Sequence, residues 1–292
     1  MSRTAYVDGR YRDIREPSIN IEDRGYQFSD GVYEVIKVVN HRLCDVDRHL
    51  DRLFRSLAAI DIAAPMSRSA ITTVLQETYR RNRLSNAILY VQVTRGVGPR
   101  NHVARKGLRS ILVVTCRRAL FPTALEREGG VAVITLPDQR WGRCDIKSIS
   151  LLANVLAKQA AADESCREAW LYDHQGMITE GSSSNAYIVN SNNTLVTHPL
   201  GPAILGGVTR SRVLEIAAEA GIAVEERPFS IDEALAAREA FLTSTTSLVL
   251  PVTSINGQTV ANGHPGSMTS KLAALYEAKQ GLMMTVGKTT YY

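Results

Sequence analysis

Runs rich in β-branched residues at 32–39, 87–94, 110–115 and 131–135 alternate with stretches whose apolar residues recur at helical spacing, which commits the chain to a mixed α/β fold. In the first run, period-two geometry puts Tyr33, Val35 and Lys37 on one face and Glu34 and Ile36 on the other. Before it, Ala5-Tyr6-Val7, Asp8-Gly9 and Arg10-Tyr11 read as a hairpin that opens an antiparallel sheet, and residues 23–31 as a turn-rich loop. Asp45 or Asp47 can cap a helix with Leu50, Leu53, Phe54 and Leu57 on its apolar stripe and Arg52 off it. Ser67 caps a second helix to about Arg81.

A chain of 292 residues can bury a core sizeable enough for two domains. Pro122 in Leu120-Phe121-Pro122-Thr123 interrupts the pattern, so the expected division is 1–119, a linker at 120–125, and 126–292. No apolar run approaches a membrane span, and Met1-Ser2-Arg3-Thr4 has no apolar signal core, so a cytoplasmic protein is expected. Cys44, Cys116, Cys144 and Cys166 form neither a C-x-x-C pair nor a metal-ligand cluster and read as reduced thiols. The net charge of +5 is scattered rather than gathered on a basic face with aromatics, which argues against nucleic acid as a partner.

In the second half, Pro137, Arg140 and Trp141 lead from a strand to Lys147, and an Ala/Leu-rich helix follows at 151–162. Strands at 168–172 and 186–189 bracket a Gly/Ser turn containing Glu180, and Asn192-Asn193 makes a hairpin loop. Gly206-Gly207-Val208-Thr209 precedes a helix expected at 211–220, ended by Gly221. A strand at 240–242 runs into Thr243-Ser244-Thr245-Thr246-Ser247. Asn256-Gly257 turns a last hairpin, a helix covers 268–280, and a poorly ordered tail is expected at 282–292.

Chemistry enters at Cys144-Asp145-Ile146-Lys147-Ser148 together with Thr179-Glu180-Gly181-Ser182-Ser183-Ser184-Asn185. An aldehyde cofactor needs an amine to hold it as a Schiff base and a carboxylate to keep its ring nitrogen protonated; Lys147 and Glu180 suit pyridoxal phosphate. Taken alone, each reads more readily as an ordinary solvated residue, since most Lys and Glu lie at the surface. Arg100 and His102, in a Gly/Pro loop after a strand, can both donate to one anion. Glycines opening a helix can present free N–H groups to a phosphate. There is no P-loop, no H-E-x-x-H and no G-x-G-x-x-G, and Gly181-Ser182-Ser183-Ser184 lacks the closing glycine of a nucleophile elbow.

These signals occur together and in order. Arg24-Gly25-Tyr26-Gln27-Phe28-Ser29-Asp30-Gly31-Val32-Tyr33-Glu34-Val35, Asp145-Ile146-Lys147-Ser148, Thr179 to Asn185, Gly207-Val208-Thr209-Arg210 and Thr243 to Ser247 resemble the fold-type-IV pyridoxal-phosphate aminotransferases, and among them the D-amino-acid aminotransferases, from about Tyr6 to Lys279. The resemblance implies two α/β domains with mixed sheets and pyridoxal 5'-phosphate between them. It implies Lys147 as the Schiff-base lysine and proton carrier and Glu180 as partner of the ring nitrogen. Arg52, the amides of Val208 and Thr209, and the Thr245 hydroxyl would hold the phosphate, with Arg140, Ser183 and Ser244 close behind. Tyr33, Arg100 and His102 would grip the substrate carboxylate, beside Val35 and Thr246, with the Arg100 loop supplied by the other subunit of a homodimer. Ser150 stands where relatives often carry asparagine.

The implied reaction moves the amino group of a D-amino acid, such as D-alanine, to a 2-oxo acid such as 2-oxoglutarate or pyruvate. A branched-chain L-aminotransferase, an (R)-amine transaminase and an aminodeoxychorismate lyase share the lysine and glutamate, and a binding protein that retains the fold is a further alternative.

Overall fold

The computed structural model describes residues 3–16 and 18–281. The first half contains β1 (Thr4–Val7), β2 (Arg10–Asp13), α1 (Arg24–Phe28), β3 (Gly31–Val39), β4 (Arg42–Leu43), α2 (Val46–Ala59), α3 (Arg68–Asn82), β5 (Ala87–Thr94) and β6 (Ile111–Arg118). The strands form an antiparallel six-stranded sheet in the order β2, β1, β6, β5, β3, β4. Its spine is the pairing of β3 with β5, from Gly31 opposite Thr94 to Val38 opposite Ala87. Val32, Ile36 and Val38 with Leu89, Val91, Val93, Leu112 and Val114 make a dry face, covered by Leu50, Leu53 and Leu57 of α2 and by Ile71 and Leu75 of α3.

The second half contains α4 (Ala124–Gly129), β7 (Val131–Pro137), α5 (Leu152–Asp163), β8 (Glu168–Tyr172), β9 (Met177–Gly181), β10 (Asn185–Val189), β11 (Leu195–Thr197), α6 (Val208–Glu219), β12 (Val224–Glu226), β13 (Phe229–Ser230), α7 (Ile231–Leu235), β14 (Glu239–Ser244), β15 (Leu248–Ile255), β16 (Gln258–Thr259) and α8 (Ser267–Gln280). Its strands make a mixed ten-stranded sheet, ordered β12, β11, β10, β14, β15, β7, β8, β9, β13, with β16 on β15. The pairs β11–β12, β15–β7 and β7–β8 are parallel. Trp170, Ile188, Phe229, Leu242 and Leu250 pack on one face. Tyr187, Phe241 and Val249 pack on the other, under Val213 and Ile216 of α6 and Leu272 and Tyr276 of α8.

The segment carrying Lys147 is strapped to both halves. Its carbonyl accepts from Tyr33 N at 2.9 Å and Ile149 N donates to the Gly31 carbonyl at 3.1 Å, so it pairs with the start of β3. On the other side Cys144 N donates to the Pro202 carbonyl at 2.8 Å. Cys144, like the other three cysteines, is a free thiol.

Several local expectations change. The loop at 23–31 contains the short helix α1, because the Asp23 side chain accepts from Gly25 N and caps it. Asp45 precedes α2 without capping it, since its carboxylate is taken by Arg212 and Gln280. Within the stretch read as a linker, Thr123 and Glu126 form a capping box that starts α4. Glu180 lies on strand β9 rather than in a turn, and α6 begins at Val208 rather than 211. The tail at 282–292 lies outside the described residues.

Leu53 is fully buried between α2 and the first sheet. Leu53→Ala is expected to lower the unfolding free energy by about 3 kcal/mol; an unchanged urea midpoint would show that α2 does not rest on this contact.

Candidate active site

A cavity of about 210 Å³ lies where the two sheets meet, lined from the first half by Tyr33, Val35 and Arg52 and from the second by Lys147, Glu180 and the first turn of α6. Arg140, Ser183, Val208, Thr209, Ser244, Thr245, Thr246 and Ser150 also line it. Strand alternation explains the near wall: Tyr33 and Val35 face the cavity because Val32, Glu34 and Ile36 face the core.

That alternation buries Glu34, and α2 compensates it. Arg52 donates from Nε and Nη2 to the two Glu34 oxygens at 2.7 and 2.8 Å, and His49 Nδ1 lies 2.8 Å from Oε2. Burial works to raise the Glu34 carboxyl, but the Arg52 guanidinium and the bond from His49 outweigh it and hold the carboxyl well below its ordinary range. Burial likewise lowers the pKa of His49, against the pull of Glu34. Arg52 lies off the apolar stripe of α2 yet is buried, because a second inward row of His49, Arg52 and Ser56 faces Glu34 and the lysine segment. Ser56 Oγ accepts from Lys147 N at 3.3 Å.

Lys147 Nζ lies 4.2 Å from the centre of the Tyr33 ring, which stacks on Tyr90 at 5.6 Å. Beyond it stands Glu180, buried at 4% exposure. Its Oε1 accepts from Arg140 Nη1 at 2.5 Å, its Oε2 from Asn185 Nδ2 at 2.9 Å, and both oxygens from Leu205 N at 3.1 Å. Arg140 is shared with Asp138, which takes its Nε and Nη2 at 2.9 and 2.7 Å. Arg140 is therefore held firmly charged, Asp138 outweighing the effect of burial. For Glu180 burial wins over its share of Arg140, and its carboxyl is pushed up to about 7.

The Gly181 to Asn185 turn hangs from Glu168, a residue the sequence reading did not single out. Its carboxylate accepts from the hydroxyls of Ser182, of Ser183 at 2.6 Å and of Ser184 at 3.1 Å, and from Ala169 N at 3.0 Å. Ser183 thus serves the turn before it serves the cavity. Glu34, Asp138, Glu168 and Asn185 were missed as functional positions. For Glu34 and Glu168 the available signal was a carboxylate on the inward face of a strand, which demands a buried donor; Asp138 and Asn185 carry no such local signal.

At the far end α6 has no side-chain cap, so the Val208 and Thr209 amides are open to the cavity. Arg52 Nη1 donates to the Gly206 carbonyl beside them at 3.0 Å. A Cβ on Gly207 would come 2.1 Å from Asn185 Oδ1, so the turn closes only with glycine. Helix-end amides, a guanidinium and hydroxyls at one end, an amine in the middle and a buried carboxylate at the other fit an anionic aldehyde with a basic ring.

Arg100 and His102 do not line this cavity. Their loop is mounted on Arg24, which donates from Nη1 to the Asn101 carbonyl at 2.5 Å, from Nη2 to the His102 carbonyl at 3.2 Å and from Nε to Asp30 at 2.8 Å. The Arg24 and Arg100 guanidiniums each lie 4.8 Å from the centre of the Phe28 ring. Among the described residues, no helix is long and apolar enough to cross a membrane, and no cluster of His, Cys, Asp and Glu could hold a metal ion.

The family model described as amino-transferase class IV matches residues 31–255. D-alanine aminotransferase of Bacillus licheniformis is 44% identical over 265 residues, covering 91% of this chain and 93% of that protein. The Listeria innocua serovar 6a protein of the same name is 39% identical over 270 residues, covering 91% and 92%. Escherichia coli branched-chain amino acid aminotransferase superposes with a TM-score of 0.88 at 20% identity, covering 100% of this chain and 98% of that one. A hypothetical aminotransferase from Mycobacterium tuberculosis in its PLP-bound form gives 0.82 at 21%, covering 95% and 98%. At such identities the superpositions show the fold.

Glu180 contributes stability to the cofactor-free protein that is fully present below pH 4.5 and lost as pH rises through about 7, because its folded pKa is raised. The stability difference between the protein and Glu180→Gln is therefore expected to change between about pH 5 and 8; parallel denaturation midpoints across that range would contradict the raised pKa.

Proposed function

The chain belongs to the class IV amino-transferases, and on that premise we propose how its residues divide the reaction. The reaction is transfer of the amino group from a D-amino acid such as D-alanine to a 2-oxo acid such as 2-oxoglutarate or pyruvate, in two half-reactions at one site. Lys147 and Glu180 facing one cavity that ends in the open amides of α6 carry this reading. Relatives named D-alanine aminotransferase favour it over a branched-chain, (R)-amine or lyase reading, because the branched-chain likeness is one of fold.

Pyridoxal 5'-phosphate would supply the carbonyl that takes up the amino group and the ring that withdraws electrons from the α-carbon. Lys147 would hold it through Nζ, and the same amine is the group placed to carry the α-proton on one face. Glu180 would keep a proton on the ring nitrogen, and Arg140 fixes its carboxylate for that. Arg52, the Val208 and Thr209 amides and the Thr245 hydroxyl would hold the phosphate, with Ser244 beside them. Glu34, itself held by His49, sets the plane of the Arg52 guanidinium through two of its N–H groups.

The substrate carboxylate is bound by Tyr33 of one copy and by Arg100 and His102 of the other subunit of a homodimer, with Val35 and Thr246 along the side-chain path. The exposed Leu152, Val155 and Leu156 on α5 and the exposed Val103 beside the Arg100 loop supply apolar surface for that assembly. The segment at 120–125 joins a small first domain to the larger one.

Incubation with D-alanine and 2-oxoglutarate is expected to yield pyruvate, L-alanine to yield little, and Lys147→Ala to abolish turnover. Equal rates with both enantiomers would overturn the carboxylate grip.

A further inference from the structure

Lys37 is 2% exposed on the cavity-facing side of β3, one position beyond the residues that line the cavity. Among the described residues no carboxylate pairs with it. Glu34 is taken up by Arg52 and His49, and Asp45 by Arg212 and Gln280. Of the other titratable groups facing this region, Arg52 is the second fixed positive charge, while burial favours the neutral forms of His49 and of the Cys44 thiol, so neither offers the ammonium a counter-charge. Lys37 donates to the Tyr276 hydroxyl oxygen and lies 4.7 Å from the centre of that ring. Tyr276 Oη is in turn 3.4 Å from Thr209 Oγ1, in the first turn of α6. A buried cation served by one neutral hydroxyl is costly unless an anion completes its surroundings.

Hydrogen-bond direction follows from the chemistry of the groups. An ammonium can only donate, so the tyrosine oxygen accepts and its own proton is free to point to Thr209; that frees the threonine hydroxyl proton to point into the cavity. We propose that Lys37, Tyr276 and Thr209 form a one-way donor chain that extends a buried positive charge to the anion cup at the start of α6. A bound phosphate ester then completes a site spanning β3, α6 and α8. This deepens the reading of the cavity as a pyridoxal 5'-phosphate site and rests on it. Lys37 and Tyr276 are positioning residues that act through Thr209.

The test uses the full chain freed of cofactor and follows its melting temperature and ligand dissociation constant with pyridoxal 5'-phosphate and, separately, with inorganic phosphate. Lys37→Met is expected to leave the melting temperature of the free protein unchanged or raised, because an uncompensated buried charge is gone. The same variant should weaken both ligands by roughly ten-fold or more, the loss typical of a charge-assisted interaction. Tyr276→Phe, which keeps the ring and breaks the chain, should weaken both ligands as well and serves alone if Lys37→Met does not fold. Equal lowering of the melting temperatures of the free and loaded Lys37→Met protein, with unchanged dissociation constants, would make Lys37 merely structural and overturn the proposal. A parent chain stabilised by neither ligand would remove the cofactor reading and this proposal together, whereas normal binding by the parent and both variants removes this proposal alone.

Discussion

Backbone pairing between residues 147–149 and 31–33 fixes where Lys147 stands against the Tyr33 wall of the cavity. It makes the lysine segment a short extra strand on the first sheet, with Ile146 in that sheet's core, while Cys144 is tied to the second half. A side chain on so short a strap has little room to wander, because the amides on either side of Lys147 are spent on hydrogen bonds. Tyr33 is placed by the same pairing, so the amine and the ring beneath it share one register.

Two buried carboxylates are handled in opposite ways. Glu34 receives a full bidentate guanidinium and an imidazole and is driven to the charged state. Glu180 receives one arm of an arginine that is mostly committed to Asp138, together with amide donors, and is held near the point where it can gain or lose a proton. Division of Arg140 between two acids is the physical difference. A fixed charge suits a residue that orients a neighbour, and a poised one suits a residue that must answer to a ring nitrogen.

Much of this is legible in the sequence. The β-branched runs gave β3, β5, β6 and β7 to within a few residues, because alternation is a local property. Lys147, Glu180 and the glycines before α6 are weak signals singly and stand out because they occur together and in order. What could not be read was long-range: Glu168 on β8 meets Ser182 only because the turn after β9 is brought back to it, and Arg24 on α1 meets the Asn101 carbonyl 77 residues away. Arg52 was placed off the buried stripe, since apolar spacing cannot reveal a second inward row made of polar side chains. The start of α6 was placed late for a related reason: Gly207 as its first flanking residue carries no capping side chain to announce it.

The attachment of three consecutive serines to Glu168 makes that corner unequally tolerant of genetic change. Any one hydroxyl can be lost while the other two still occupy the carboxylate, so drift at positions 182 to 184 is buffered. A change at 168 strands the buried hydroxyls of Ser182 and Ser184 at once, while the exposed Ser183 can turn to water, so the corner hangs on a single acid that does not itself line the cavity.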